Sequence, residues 1–155
     1  MALSKMDDYI IPAAVTSLAS YQYAYFAMQV GQVRRKLKFP PPKTTGEPEF
    51  ERAHRAQQNA VEFAPIFFPI YWVSCFFFHP VLASIPGCLY VIGRHMYFKG
   101  YCEAPGKRLS GFKLISFSLR ALLFMGAAGI ATAALRRYAD INLYKYVAEY
   151  SGGYL

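Results

Sequence analysis

The sequence predicts an all-α integral membrane protein, a four-helix bundle forming one domain over residues 1–155. Three observations lead there. Of its side chains 55% are apolar and only 17% are charged. Mean hydropathy is positive in spite of those charges, so the charges must be clustered. Between Asp8 and Arg34 lie 25 residues without a charge, and between Glu62 and Arg94 lie 31. A helix needs about 20 mostly apolar residues to cross a bilayer, and both runs exceed that. The composition excludes disordered and collagen-like chains.

The first span is placed at Tyr9–Val30. Asp7 and Asp8 precede it, and it is far longer than the roughly 7–15 apolar residues of a secretory signal, so it is read as uncleaved. Ala13, Ala14, Ser17, Ala24 and Ala27 let a neighbouring helix approach closely. Pro12 falls near the first turn, whose N–H groups are unpaired anyway. Arg34, Arg35, Lys36 and Lys38 follow, and Pro40, Pro41 and Pro42 then enforce an extended linker.

The second span, Arg52–Phe78, starts polar and turns apolar at Phe63; Pro65 and Pro69 are expected to kink it. His79-Pro80 interrupts the longer uncharged run, so two spans joined by a tight turn explain it better than one oversized helix. The third span is Val81–Tyr101. Pro105-Gly106 marks the next break, and the fourth span is Ser110–Leu135, with Gly126 and Gly129 suited to close packing. The tail after Arg136 is polar and rich in Tyr.

Basic residues number 17 against 9 acidic ones. In a soluble chain such an excess suggests nucleic acid, but basic loops are what orients a membrane protein, and no nucleic-acid partner is expected. Seven Lys/Arg lie in Arg34–Arg55 and five in Arg94–Lys113, whereas Lys5, Arg136, Arg137 and Lys145 lie on the other side. That imbalance puts both long loops in the cytosol and both termini across the membrane. Arg120, inside the fourth span, could pair across subunits, line a wet cavity or snorkel. Cys75, Cys88 and Cys102 have neither metal-ligand nor redox-motif spacing; they are read as free thiols, and no metal is expected.

Arg55, Asn59 and Glu62 stand at i, i+4 and i+7, within an arc of about 60° on one helix face. They lie where the helix enters the bilayer, and ionisable groups there are costly unless paired. Seven residues span about 10 Å of axis, so Arg55 and Glu62 are expected to need a third group between them. A ligand site is favoured over an Arg–Glu pair that merely satisfies itself. Tyr90, Arg94, Tyr97 and Tyr101 share a similar arc on the third span. Tyrosines there are ordinary interface residues, while Arg94 either snorkels to the headgroups or has a function. Arg108 follows the Pro-Gly break, where helical phase cannot place it, and a solvated loop arginine is its default reading.

Together these residues describe a polar pocket at the cytosolic boundary, with guanidinium groups, a carboxylate, an amide and phenols. Such a pocket suits a small zwitterion with more than one carboxylate. Arginine holds carboxylates bidentately, Glu62 can take an ammonium group, and apolar helix faces alongside can hold a lipophilic partner. Glutathione, with two carboxylates, one amine and one thiol, fits this description.

The stretches PEFERAHRAQQNAVEF (48–63), GRHMYFKGY (93–101) and EAPGKRLSGFKL (103–114) carry a resemblance. Along nearly its whole length the chain resembles the membrane-associated proteins in eicosanoid and glutathione metabolism. The resemblance implies a homotrimer of four-helix subunits in the endoplasmic reticulum and nuclear envelope membranes, with glutathione bent into a U between neighbouring subunits. It implies glutathione-binding roles for Arg34, Arg55, Gln57, Asn59, Glu62, Tyr97, Tyr101 and Arg108, with Arg108 also activating the thiolate. Arg35 matches a second catalytic arginine near the electrophile. The implied activity is transfer of glutathione to lipophilic electrophiles, leukotriene A among them, and reduction of lipid hydroperoxides.

Two departures favour a broad transferase over a dedicated leukotriene synthase. Phe63 stands where leukotriene-synthesising members have a Tyr that contacts glutathione, and Arg120 stands roughly where they have a Trp. A non-catalytic alternative is the family's lipid-presenting scaffold, which lacks counterparts of Arg55 and Arg108 and has Asp in place of Glu62. A channel or transporter would need polar residues along a pore through every span, whereas here they gather at one side.

Overall fold

The computed structural model describes residues 6–139 and 141 of the chain. It contains four long helices: α1 (Ile10–Lys36), α2 (Pro48–Phe77), α3 (Pro80–Glu103) and α4 (Leu109–Tyr138). A 3-10 turn, Pro105–Arg108, joins α3 to α4, and no strand occurs among the described residues. Lys5, Lys145 and most of the Tyr-rich tail lie outside the described residues.

The helix limits follow from local chemistry. α1 runs past the expected Val30 to Lys36, because Arg34, Arg35 and Lys36 in its last turn favour the negative end of the helix dipole. α2 starts earlier than expected, at Pro48, with Glu49 and Glu51 in its first turn. A 2.8 Å ion pair between Lys36 and Glu49 ties the two ends across the proline-rich linker. α2 continues unbroken through Pro65 and Pro69. The break at His79-Pro80 is as expected: His79 caps α3, its Nδ1 accepting from the Val81 and Leu82 N–H groups at 3.2 and 3.4 Å.

α1 packs against α2 and α3, and α4 packs against the same pair. Two buried clusters fill the bundle. One contains Phe67, Tyr71, Tyr90, Ile115 and Leu122, with the Phe67 and Tyr90 rings stacked at 3.8 Å. The other, at the basic end, contains Phe26, Phe50, Ala53, Ala56 and Phe98, with Phe26 and Phe98 stacked at 4.2 Å. Lipid tails are as apolar as these side chains, so helix association in a bilayer rests on close packing and interhelical hydrogen bonds. Both are present. The Ser74 hydroxyl reaches the Leu122 carbonyl at 2.7 Å and Tyr71 meets Ser84 at 2.9 Å. A Cβ on Gly111 would run into the backbone of Tyr97, so α3 and α4 cross almost backbone to backbone.

The outside of the bundle is apolar: Leu18, Phe76, Ile85, Leu123 and Phe124 are among its exposed residues. Among the described residues, α2 and the segment Pro105–Tyr138 are long and apolar enough to cross a membrane. The expectation of four such helices is met in number of helices but not in composition. Gln22, Gln29 and several tyrosines dilute α1, and Arg94, His95 and Lys99 dilute α3.

Candidate functional site

The face of α2 that carries Arg55, Asn59 and Glu62 meets α3 at the basic end of the bundle. Arg55 Nη1 reaches Glu62 Oε1 directly at 3.3 Å, with both side chains about half exposed. The sequence-based expectation that a third group must sit between them is therefore corrected. Axial rise was the wrong measure, since Glu62 leans back toward the helix N-terminus and two long side chains close the gap. Both groups stay open to solvent on their outer sides, so a ligand can exchange for the contact at little cost.

Of the two readings of Arg94, snorkelling is excluded: the residue is 1% exposed, deep between helices. Its Nη1 donates to Asn59 Oδ1 at 2.9 Å and its Nε to the Tyr90 hydroxyl at 3.0 Å. The guanidinium stacks over Phe63 at 4.4 Å and lies within 5.9 Å of the Tyr97 ring. No carboxylate pairs with it among the described residues, and its Nη2 is buried without a partner. Aromatic faces supply part of the missing counter-charge.

From Tyr97 the cluster continues to Tyr101, whose ring lies 5.8 Å away, and then to Arg108, 5.2 Å from the Tyr101 ring centre. Arg108 is half-buried, not a solvated loop residue, and its Nη1 donates to the Pro105 carbonyl. Gly100 makes this possible. A Cβ there would sit 2.5 Å from the Lys107 carbonyl oxygen and 3.2 Å from the Arg108 nitrogen, so only glycine lets the 3-10 turn fold back on α3. The corner also carries a 2.8 Å Lys107–Glu103 pair. Their hydrogen bond holds the Glu103 carboxyl below its ordinary range and the Lys107 ammonium above its own. The pair is exposed and adds little stability.

Arg34 and Gln57 stand elsewhere. At 100° per residue Gln57 is about 200° around α2 from Arg55. Arg34 stacks over Phe50 at 4.2 Å, on the Gln57 flank, and donates to the Lys43 carbonyl at 3.0 Å. Arg35 is exposed in the last turn of α1 and makes none of the cluster's contacts. The structure thus brings together Arg55, Asn59, Glu62, Tyr97, Tyr101 and Arg108, and keeps Arg34, Arg35 and Gln57 apart from them.

A cavity of about 420 Å³ opens beside the cluster; Arg55 and Tyr101 line it, together with Thr44, His54 and Gln58. Pockets for small molecules span roughly 300–1,000 Å³, so the size suits one small ligand. Thr44 carried no motif signal, because only the folding of the linker against α2 brings it there, and His54, though inside the 48–63 stretch, was not singled out. Phe63 was legible as a departure but not as the surface under Arg94. Arg120 is exposed on α4, its Nε donating to the Ser116 carbonyl at 3.1 Å. Cys75, Cys88 and Cys102 are unpaired, as expected. Among the described residues no group of three His, Cys, Asp or Glu could hold a metal ion.

An all-helical bundle with an apolar exterior and a pocket at its basic end defines a class, that of small helical membrane proteins. The chain belongs to the MAPEG family, whose model matches residues 12–128. It is 49% identical to human (Homo sapiens) microsomal glutathione S-transferase 2 over 136 residues, covering 88% of this chain and 92% of that protein. The mouse (Mus musculus) protein of the same name is 43% identical over 138 residues, 89% of this chain and 94% of its own. Leukotriene C4 synthase of Bos taurus is 39% identical over 124 residues, 80% of this chain and 83% of that enzyme.

Proposed function

We propose that the protein is a membrane glutathione transferase that activates the glutathione thiolate for attack on lipophilic electrophiles. The observation that carries this reading is the continuous cluster from Arg55 through Tyr101 to Arg108, in a chain whose relatives include microsomal glutathione S-transferase 2. Glutathione's functional groups match the side chains available. Its two carboxylates call for guanidinium groups, which Arg55 and, from a neighbouring copy, Arg34 offer, its ammonium group calls for a carboxylate, which Glu62 offers, and Arg108 is left for the thiol. Asn59 and the Tyr97 and Tyr101 phenols supply neutral hydrogen bonds.

The chemistry then asks for little beyond electrostatics. A free thiol of the cysteine type has a pKa near 8.5 and is mostly protonated at neutral pH. A depression of two units takes about 2.7 kcal/mol of differential stabilisation, within reach of a nearby guanidinium in a partly desolvated site. Arg108 stays protonated and cannot be the base, so the thiol proton leaves to water. The thiolate forms a C–S bond as the epoxide C–O bond breaks, and the alkoxide takes a proton from water. With a lipid hydroperoxide, two glutathione thiols are oxidised to the disulfide while the peroxide is reduced to an alcohol and water. Leukotriene A conjugation, giving leukotriene C, belongs to the same chemistry.

Arg34, Arg35 and Gln57 complete the site from a neighbouring copy in a homotrimer. Their separation from Arg55 around α2 supports this arrangement, since one ligand cannot lie against both flanks of the same helix. Four membrane spans, residence in the endoplasmic reticulum and nuclear envelope, cytosolic long loops and lumenal termini complete the reading. The non-catalytic scaffold is disfavoured because Arg55, Glu62 and Arg108 are all present. Conjugation of glutathione to a lipophilic epoxide by the detergent-purified chain tests the proposal. Product formation above the uncatalysed rate supports it, and binding of lipid with no turnover favours the scaffold.

A further inference from the structure

The crease between α1 and α3 lies on a different face of α3 from Arg94 and Tyr97. It holds two adjoining cavities of about 250 and 220 Å³ that share Tyr25 and His95. On α1 the lining runs from Leu18 to Val33, about 22 Å at 1.5 Å per residue. The Tyr25 and His95 rings stack across it at 6.5 Å.

Its polarity is graded. Lys99, exposed at the basic end, stands at the mouth; Gln29 and His95 follow; Leu18 and Tyr21 lie deepest. Gln22 is occupied by the Val91 carbonyl at 2.9 Å, but Gln29, His95 and Lys99 have no hydrogen-bond partner among the described residues. His95 is exposed about 12 Å from the end of α3. An exposed imidazole and a half-buried amide without partners at that depth are costly in hydrocarbon unless something polar meets them.

We propose that this crease binds one anionic phospholipid of the surrounding bilayer. The headgroup phosphate lies against Lys99, the ester carbonyls accept from Gln29 and His95, and an acyl chain descends along Tyr25 to Leu18. Charge complementarity selects the anionic headgroup: Lys99 makes no ion pair among the described residues, and Glu103, the carboxylate near enough to feel its charge, is taken by Lys107 at 2.8 Å. The site is separate from the glutathione pocket and uses none of its residues.

Native cysteines provide the test. Cys102 is half-buried in the lining near Lys99, while Cys88 is exposed further along α3, outside the crease. Alkylation of the full chain by a neutral maleimide is followed at both thiols by peptide mass spectrometry, in micelles doped with phosphatidylserine or phosphatidylcholine. Phosphatidylserine should slow Cys102 about tenfold relative to Cys88, a difference of about 1.4 kcal/mol in occupancy, and phosphatidylcholine should not. The protection should disappear in Lys99→Gln, whose conjugation activity should match the wild type and so report a folded protein. Equal protection by both lipids, no protection, or protection that survives Lys99→Gln would each overturn the proposal.

Discussion

Arg94 Nη1 donates a 2.9 Å hydrogen bond to Asn59 Oδ1, joining α3 to α2 at a point where the arginine is 1% exposed. The bond fixes the rotamer of a side chain whose neighbours one turn away on either side are Arg55, which lines the cavity, and Glu62, which pairs with Arg55. A buried cation with no carboxylate thereby becomes a positioning device: it holds Asn59 while its ring neighbours, Phe63, Tyr90 and Tyr97, hold it. Asn59→Leu should strand a second Arg94 donor and destabilise the chain by about 1–3 kcal/mol. Adding Arg94→Met should recover part of that loss. Unfolding in detergent measures the cycle, and additive single-mutant effects would show that the two residues are not coupled.

Gly100 is a separate lever on Arg108. Gly100→Ala places a methyl 2.5 Å from the Lys107 carbonyl and should push the 3-10 turn outward, costing about 1–3 kcal/mol of stability. The larger effect should fall on kcat, with KM for glutathione changing less, because Arg108 moves while Arg55 and Glu62 remain. Steady-state kinetics separate the two, and a change confined to KM would contradict the assignment.

Glu62→Gln keeps the shape of the side chain and removes its charge. The ligand ammonium then lacks its counter-ion, and affinity for glutathione should fall by about 1–3 kcal/mol, or about 5- to 150-fold. Calorimetry on the purified protein reads this directly. Unchanged affinity would mean that the ammonium group is held elsewhere.

The division of residues between the two flanks of α2 predicts complementation. Arg34→Ala and Arg108→Ala subunits, each inactive alone, should regain activity when co-expressed, because some mixed sites then draw an intact Arg108 and an intact Arg34 from different copies. Mixed oligomers purified on two tags provide the sample. No recovery would place all the site residues within one copy.

The helices, their breaks and the Arg55–Asn59–Glu62 face were legible in the sequence because they depend on runs, prolines and helical phase. The Arg94–Asn59 bond was not, since its partners are 35 residues apart and only packing of α3 on α2 brings them together. Snorkelling was a fair reading of Arg94 by depth alone, but depth says nothing about which way a side chain turns on its helix. Arg108 was equally opaque to phase, because a Pro-Gly corner resets it; the close approach at Gly100 places it. Runs and breaks placed four spans, but they could not show that the polar residues of α1 and α3 meet in one crease.

The central claim is that Arg108 stabilises the glutathione thiolate, and stopped-flow ultraviolet absorbance of the thiolate tests it most directly. The detergent-purified protein is mixed with glutathione alone, with no electrophile. A thiolate signal that saturates with glutathione in the wild type and vanishes in Arg108→Ala, while calorimetry still detects glutathione binding, is the expected result. A folded wild-type protein that binds glutathione without forming thiolate, or an Arg108→Ala variant that forms it as well as the wild type, would contradict the claim.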